Sequence, residues 1–306
     1  MNNLIQDTKA KIMACCTVLC WSTVATAFKI GLRGISPMLF VCYVIFFSLL
    51  FFILYLSFTQ KWKLFKTATK KELYVAAISG LLNPFAYYAV LFAAYHKLPA
   101  QVAQSLNYVW PIVLVVASAF LQKRKIPRNI YVGLFTGFAG VVFIASKGNF
   151  FSFSFDLLGV GCALFSSIIW VTYWLISKAS KLNPVIFLFT NQLIGFIVTV
   201  LFLYTFNYKF IIPDSTTMLA AMYSGWFEMG FTFVLWITAL RLASSPEKIS
   251  HYIFLSPFIS LFFIRFLLDE QIFFSTFIGL FLIVTGIILS ERGENLLKFF
   301  KMRENK

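Results

Sequence analysis

One carboxylate, Glu228, stands in the middle of the apolar run 217–240. An ionised carboxylate is expensive at the centre of a bilayer, so such a group marks a substrate contact or a proton relay by default. The plainer alternative is a structural hydrogen bond to a neighbouring helix, with the carboxyl protonated throughout. Burial of this kind suits a group that exchanges protons with a gradient. Seven large rings with polar edges, Trp21, Tyr87, Tyr108, Trp110, Trp170, Tyr173 and Tyr252, also lie deep in apolar runs. Together they could stack on a planar molecule or hold a cation against their π faces. Asn83 and Asn107 add neutral polar groups, and Pro84, Pro111 and Pro257 interrupt runs that otherwise read as helix. Proline removes a ladder hydrogen bond, so these positions supply kinks and free carbonyls, acting as gates or as static curvature that shapes the bundle.

Other chemistries lack their parts. The two histidines, His96 and His251, are far apart and without acidic neighbours in a cluster, which leaves neither a metal site nor a nucleophile with its base, so neither an enzyme nor a metal cofactor is expected. His251, four residues after Glu247 and beside Tyr252, either shares a proton with a substrate or simply packs. Lys248 is expected to snorkel to the surface. Five cysteines, Cys15, Cys16, Cys20, Cys42 and Cys162, sit in apolar runs with no CxxC pair and read as small apolar residues. No phosphate-binding glycine loop is present, so ATP-driven work would need a separate subunit.

The elements that carry these residues follow from composition. The 306 residues are 60% hydrophobic and 19% aromatic but only 12% charged. A soluble domain carries about 25% charge, so the missing polar surface must be replaced by lipid. Disordered chains, disulfide frameworks and nucleic-acid binders are excluded by the same figures, despite a net charge of +15. Runs long enough to span a bilayer fall at 11–30, 37–58, 73–95, 100–121, 128–147, 156–177, 184–206, 217–240, 246–268 and 272–291, numbered here spans 1 to 10. The reading is an all-α integral membrane protein of ten transmembrane helices, with the first run a retained span and no separate soluble domain. Of the 26 Lys and Arg, 20 fall on the side of the termini and six on the other, which predicts both termini in the cytoplasm of a multi-pass plasma (inner) membrane protein. Most of the 39 Phe are expected to face lipid, and Trp62 and Trp174 to act as interfacial anchors.

The chain also repeats itself. Trp21, Thr23 and Lys29 recur 149 residues later as Trp170, Thr172 and Lys178. Pro111, Gly133 and Gly140 recur 146 residues later as Pro257, Gly279 and Gly286, and Ser79-Gly80 recurs as Ser224-Gly225. A nearly constant shift predicts two five-helix halves, residues 1–150 and 151–306. Because five is odd, the second half enters the membrane from the opposite side, an inverted repeat of the kind that secondary transporters use. The small-residue faces Gly133, Gly137 and Gly140 in span 5, and Gly279 and Gly286 in span 10, permit close helix contact, either between the halves or in a homodimer.

Ten spans in a five-plus-five inverted repeat, Cys20-Trp21-Ser22-Thr23 in span 1 and Ile169-Trp170 with Tyr173 in span 6 resemble the drug/metabolite transporter superfamily, in its EamA-type branch. The segment Leu106-Asn107-Tyr108-Val109-Trp110-Pro111 is similar to a block in span 4 of the bacterial aromatic amino-acid exporters of that superfamily, and Ser256-Pro257 matches the proline of the partner half. The resemblance implies a central cavity among spans 1, 3, 4, 6, 8 and 9, with spans 5 and 10 packed outside. It places the seven rings, Asn83, Asn107 and Glu228 as candidate substrate contacts and Pro84, Pro111 and Pro257 as candidate gating positions. The expected function is export of small amphiphilic metabolites, aromatic or hydrophobic amino acids first, by alternating access and without a cofactor. Choline or other quaternary ammonium compounds, drugs and nucleotide-type metabolites are alternative cargoes, and a passive channel is the alternative of a different class.

Overall fold

The computed structural model describes residues 2–121, 128–146, 156–243 and 251–304, and among these every regular element is a helix. Glu247 and Lys248 lie outside the described residues, as does Pro246. The helices are α1 (Asn2–Gly31), α2 (Pro37–Phe58), α3 (Lys70–Gly80), α4 (Tyr87–Lys97), α5 (Ala100–Asn107), α6 (Trp110–Leu121), α7 (Arg128–Ala145), α8 (Leu157–Ala179), α9 (Pro184–Thr205), α10 (Ser215–Phe227), α11 (Phe231–Leu242), α12 (Ser256–Leu268) and α13 (Phe274–Glu304). They follow the ten spans in order and are consistent with them, the first and last helices running past the apolar stretches. Five stretches, beginning at Gln6, Pro37, Lys70, Leu157 and Pro184, are long and apolar enough to cross a membrane. Their starts use ordinary helix chemistry. Ser36 and Asn183 cap helices that open on Pro37 and Pro184, and Thr69 with Glu72 forms a reciprocal capping box. Asp156 caps α8 through Gly159 N, and the Lys97 ammonium 2.9 Å away holds its carboxyl below the usual carboxylate range.

The distribution of polarity is that of a protein in lipid. Phe120, Ile212 and Phe274 are fully on the outside, whereas Thr17, Ser22, Ser48, Asn191 and Gln192 are buried between rods. Serine and threonine hydroxyls inside return their protons to their own helix, as Ser79 Oγ does to Val75 O at 2.8 Å and Ser224 Oγ to Ala220 O at 2.7 Å. That pair is one of the repeats read in the sequence, and the adjacent glycines keep the correspondence. Gly80 lies against the Asn191 carbonyl of span 7, and Gly225 against the Val44 carbonyl of span 2.

Spans 3, 4, 8 and 9 are each broken near mid-depth, in matched places. Span 3 unwinds through Leu81–Ala86, where Asn83 takes φ −142°, ψ 118° because the following Pro84 excludes the helical conformation. Its counterpart in span 8 is the gap Glu228–Gly230 between α10 and α11, with Gly230 at φ −105°, ψ −95°. Tyr108 and Val109 separate α5 from α6, and a short 3-10 turn, His251–Leu255, precedes α12 in span 9. Pro111 and Pro257 thus stand in the first turns of helices that restart after a break, where their missing N–H is harmless.

Span 5 and span 10 pack against each other within the chain. A Cβ on Gly140 would lie 2.5 Å from the Gly279 carbonyl, and one on Gly286 would lie 2.5 Å from the Gly133 carbonyl. Both contacts are to backbone, which cannot step aside. Gly140→Val is therefore expected to lower stability by roughly 1–3 kcal/mol, the range for overpacking a tight contact. A thermal-denaturation midpoint in detergent equal to that of the parent would show that this crossing does not hold the halves.

Candidate substrate cavity

The helix breaks surround a cavity of about 340 Å³, a size in the range of small-molecule sites. Spans 1, 3, 4, 6, 8 and 9 contribute its walls, the six expected from the resemblance. Of the residues singled out from sequence, Trp21, Tyr87, Asn107, Tyr108, Trp110, Pro111, Trp170 and Glu228 line it together. Glu228 is the one charged residue among the described lining residues.

Glu228 is placed by the break in span 8. Its own N–H still donates to Ser224 O at 2.9 Å, but the helix stops there, and the hydroxyl of Thr232 covers the freed carbonyls of Phe227 and Glu228 at 2.8 and 2.9 Å. From span 3 the fully buried Tyr88 donates its hydroxyl proton to Glu228 Oε1 at 3.0 Å. One carboxylate oxygen is thereby held by a neighbouring helix, and the side chain remains partly accessible from the cavity.

The rings form two groups joined at Phe233. Trp21 meets Phe233 edge-on at 5.9 Å and Trp236 at 5.7 Å; Trp170 meets Phe233 at 6.0 Å, Tyr87 at 4.9 Å and Trp174 at 6.1 Å. Asn107 is held from both sides, its Oδ1 accepting from the Tyr87 hydroxyl at 3.3 Å and its Nδ2 donating to Ser166 Oγ at 2.8 Å. Its amide has a neighbour at each end before any ligand arrives. By contrast Gln104 Oε1, Trp21 Nε1 and Trp174 Nε1 are buried in lining residues without a partner among the described residues.

Asn83, Tyr173 and Tyr252 do not line this cavity, and neither do Pro84 and Pro257. The unwound turn directs Asn83 away from the centre, to the neighbourhood of the Tyr173 hydroxyl, while Pro84 packs on Gly195 of span 7. Tyr173 in turn donates to Asn191 Oδ1 at 3.0 Å, and Asn191 Nδ2 donates to Ala76 O and Phe187 O at 2.7 and 2.9 Å. This is a seam between spans 3, 6 and 7. Tyr252 packs in a small apolar cluster with Ala10, Ala14 and Trp236. The side chain of His251 lies outside the described residues. Trp174 faces the cavity and not the interface expected for it, because it follows Trp170 by one helical turn. Trp62 does sit as an anchor would, half-exposed and stacked on Phe65.

The cavity is asymmetric from end to end. On the end away from the chain termini, here the distal end, the lining residues Phe28 and Tyr95 are almost completely buried and close it. Toward the terminal end Trp174, Leu240 and Ile253 line it while remaining partly exposed.

The model of the EamA-like transporter family matches the chain twice, over residues 8–146 and 157–292. The chain belongs to that family. It is a multi-pass membrane transporter, all-helical, built on the family's repeat. It is 28% identical over 283 residues to a Bacillus subtilis (strain 168) protein described as the uncharacterized transporter YoaV, covering 89% of this chain and 93% of that one. An aromatic amino acid exporter, YddG of Ancylobacter novellus, is 28% identical over 103 residues, which is 33% of this chain and 36% of YddG. A solved crystal structure aligns with a TM-score of 0.65 at 20% identity over 92% of this chain and 96% of the other, a likeness of fold.

Proposed function

We propose that this EamA-family transporter exports small amphiphilic metabolites that carry an aromatic or apolar body and an amine, aromatic and hydrophobic amino acids first among them. The observation that carries the reading is an aromatic-walled cavity in which the one charged residue among the described lining residues is a carboxylate. An ammonium group is served there by Glu228 and by the ring faces, and a planar side chain by Trp170, Tyr87 and Trp21. A carboxylate at the other end would be met by neutral donors, of which Trp21 Nε1 and Trp174 Nε1 have no partner among the described residues. The likeness of part of the chain to an aromatic amino acid exporter supports the same cargo. The halves 1–150 and 151–306 would rock about the cavity, in an inner membrane with both termini cytoplasmic, so that the form described here faces the cytoplasm. Protons exchanged at Glu228 would couple the cycle to a gradient.

A specific observation also favours a second cargo. The described lining residues include no Lys, Arg or His, so a quaternary ammonium compound such as choline would meet its counter-charge and π faces with no carboxylate left over. Counterflow in proteoliposomes separates the two. Saturable exchange of labelled Phe and Trp, with little for Thr and choline, is expected; exchange of choline alone would overturn the amino-acid reading, and flux that never saturates would mean a channel.

A further inference from the structure

Three polar side chains tie elements together at the distal end, Lys29 within the first half and Gln101 and Glu270 between the halves. Lys29 of span 1 donates from Nζ to Tyr95 O at 2.7 Å and Leu98 O at 2.6 Å, the carbonyls at the C-terminal end of α4. Glu270, on the link between α12 and α13, accepts from Ala100 N at 3.1 Å, the first N–H of α5. A cation therefore sits on the negative end of one helix and an anion on the positive end of the next, on either side of Pro99. Gln101, 1% exposed, uses both ends of its amide on the same link: Nε2 donates to Gln271 O at 2.8 Å, and Oε1 accepts from Phe273 N at 2.9 Å.

These bonds converge on a short piece of chain, the eight-residue helix α5, bounded by Pro99 and by the break at Tyr108–Val109 that cuts it from α6. Its distal end carries the ties to the second half, the Lys29 bonds lie just before it at Tyr95 and Leu98, and one turn further on Gln104 lines the cavity. Directly beneath the ties lie Phe28 and Tyr95, whose rings pack at 5.5 Å and close the cavity.

We propose that Lys29, Gln101 and Glu270 form the latch of the distal gate, and that α5 is the segment that swings when the latch opens. They are positioning residues for transport: none of them touches the cargo, and their bonds set how often the cavity faces the distal side. The latch favours the form in which that side is shut and must be exchanged for other partners in the opposite form. Its strength therefore tunes the ratio of the two forms.

The test needs no cargo, so it stands or falls separately from the reading of what is carried. In a background with the five cysteines replaced, Leu91, a buried lining residue in the distal half, becomes the reporter as Leu91→Cys. A membrane-impermeant thiol reagent is applied from either side of oriented vesicles. Lys29→Met and Gln101→Met, close in shape but without the bonds, are each expected to raise the distal-side labelling rate about tenfold, the change in an equilibrium that one charge-assisted hydrogen bond, or two neutral ones, carries. Lys29→Arg, which keeps the donors, is expected to return the rate to near the parent. Distal labelling unchanged in both Met variants would overturn the latch. So would an equal rise from both sides, which is general loosening of the bundle.

Discussion

Glu228→Gln is expected to abolish proton-driven cargo movement while leaving cargo exchange measurable. The substitution keeps the shape and keeps an oxygen for the Tyr88 hydroxyl, 3.0 Å from Oε1 in the parent, so the break in span 8 and the packing of span 3 should survive. What it removes is the ability to change protonation state inside the bilayer. Two measurements on the same proteoliposomes separate these roles. With an imposed pH gradient, accumulation should fall to the level without a gradient; in counterflow, exchange should persist, weakened by about tenfold to a hundredfold if Glu228 also pairs with the cargo's ammonium, the range for a hydrogen bond to a charged group. Unchanged gradient-driven accumulation would remove Glu228 from proton coupling. Loss of both activities with an unaltered melting temperature would make it a cargo contact first.

Much of this arrangement is legible in the sequence because the bilayer enforces simple rules. Each span needs about 20 apolar residues and cannot hide an unpaired polar group, so hydropathy alone locates the rods. Glu228 is conspicuous for the same reason. What hydropathy cannot show is which way a side chain points once a helix unwinds. Asn83 and Glu228 occupy matched places in the two halves, both at breaks, and the repeat suggests that they share a cavity. Proline decides otherwise: Pro84 forces Asn83 into an extended conformation and packs on Gly195, and the amide goes to the seam with Tyr173. Span 8 has no proline at its break, only Gly230, and Glu228 stays partly accessible from the centre.

Helical phase explains the residues that the sequence does not single out. Trp174 and Trp236 reach the cavity because each lies one turn from a lining ring, Trp170 and Phe233 respectively. A count of deep aromatics without a phase cannot separate these from anchors at the interface. Gln104 and the distal latch are harder to see, since a glutamine near the end of a span reads as boundary polarity. Only the contact between residues 170 positions apart in the chain, such as Ala100 with Glu270, gives these side chains a purpose.

Trp170 is the ring on which the cargo assignment depends most, and its replacement is the second large effect expected. It joins Tyr87, Tyr173, Trp174 and Phe233 within about 6 Å and forms the shared wall of spans 3, 6 and 8. Trp170→Leu removes the π face while keeping much of the apolar surface, so the bundle should remain folded. The dissociation constant of an aromatic amino acid is expected to rise roughly tenfold to thirtyfold, the sum of a lost ring–ring and a lost cation–π contact. Trp170→Phe, which restores a smaller π face, should recover part of that loss. A purely structural ring gives a different pattern: Leu and Phe variants would lose thermal stability in proportion to lost volume and bind cargo alike once corrected for the folded fraction. Equal binding by both variants, measured by intrinsic fluorescence or counterflow inhibition, would take Trp170 out of the site and move the cargo toward Trp21 and Trp236. Partial rescue by Phe would fix the aromatic wall as what the cargo rests on and leave Glu228 to recognise its charged end.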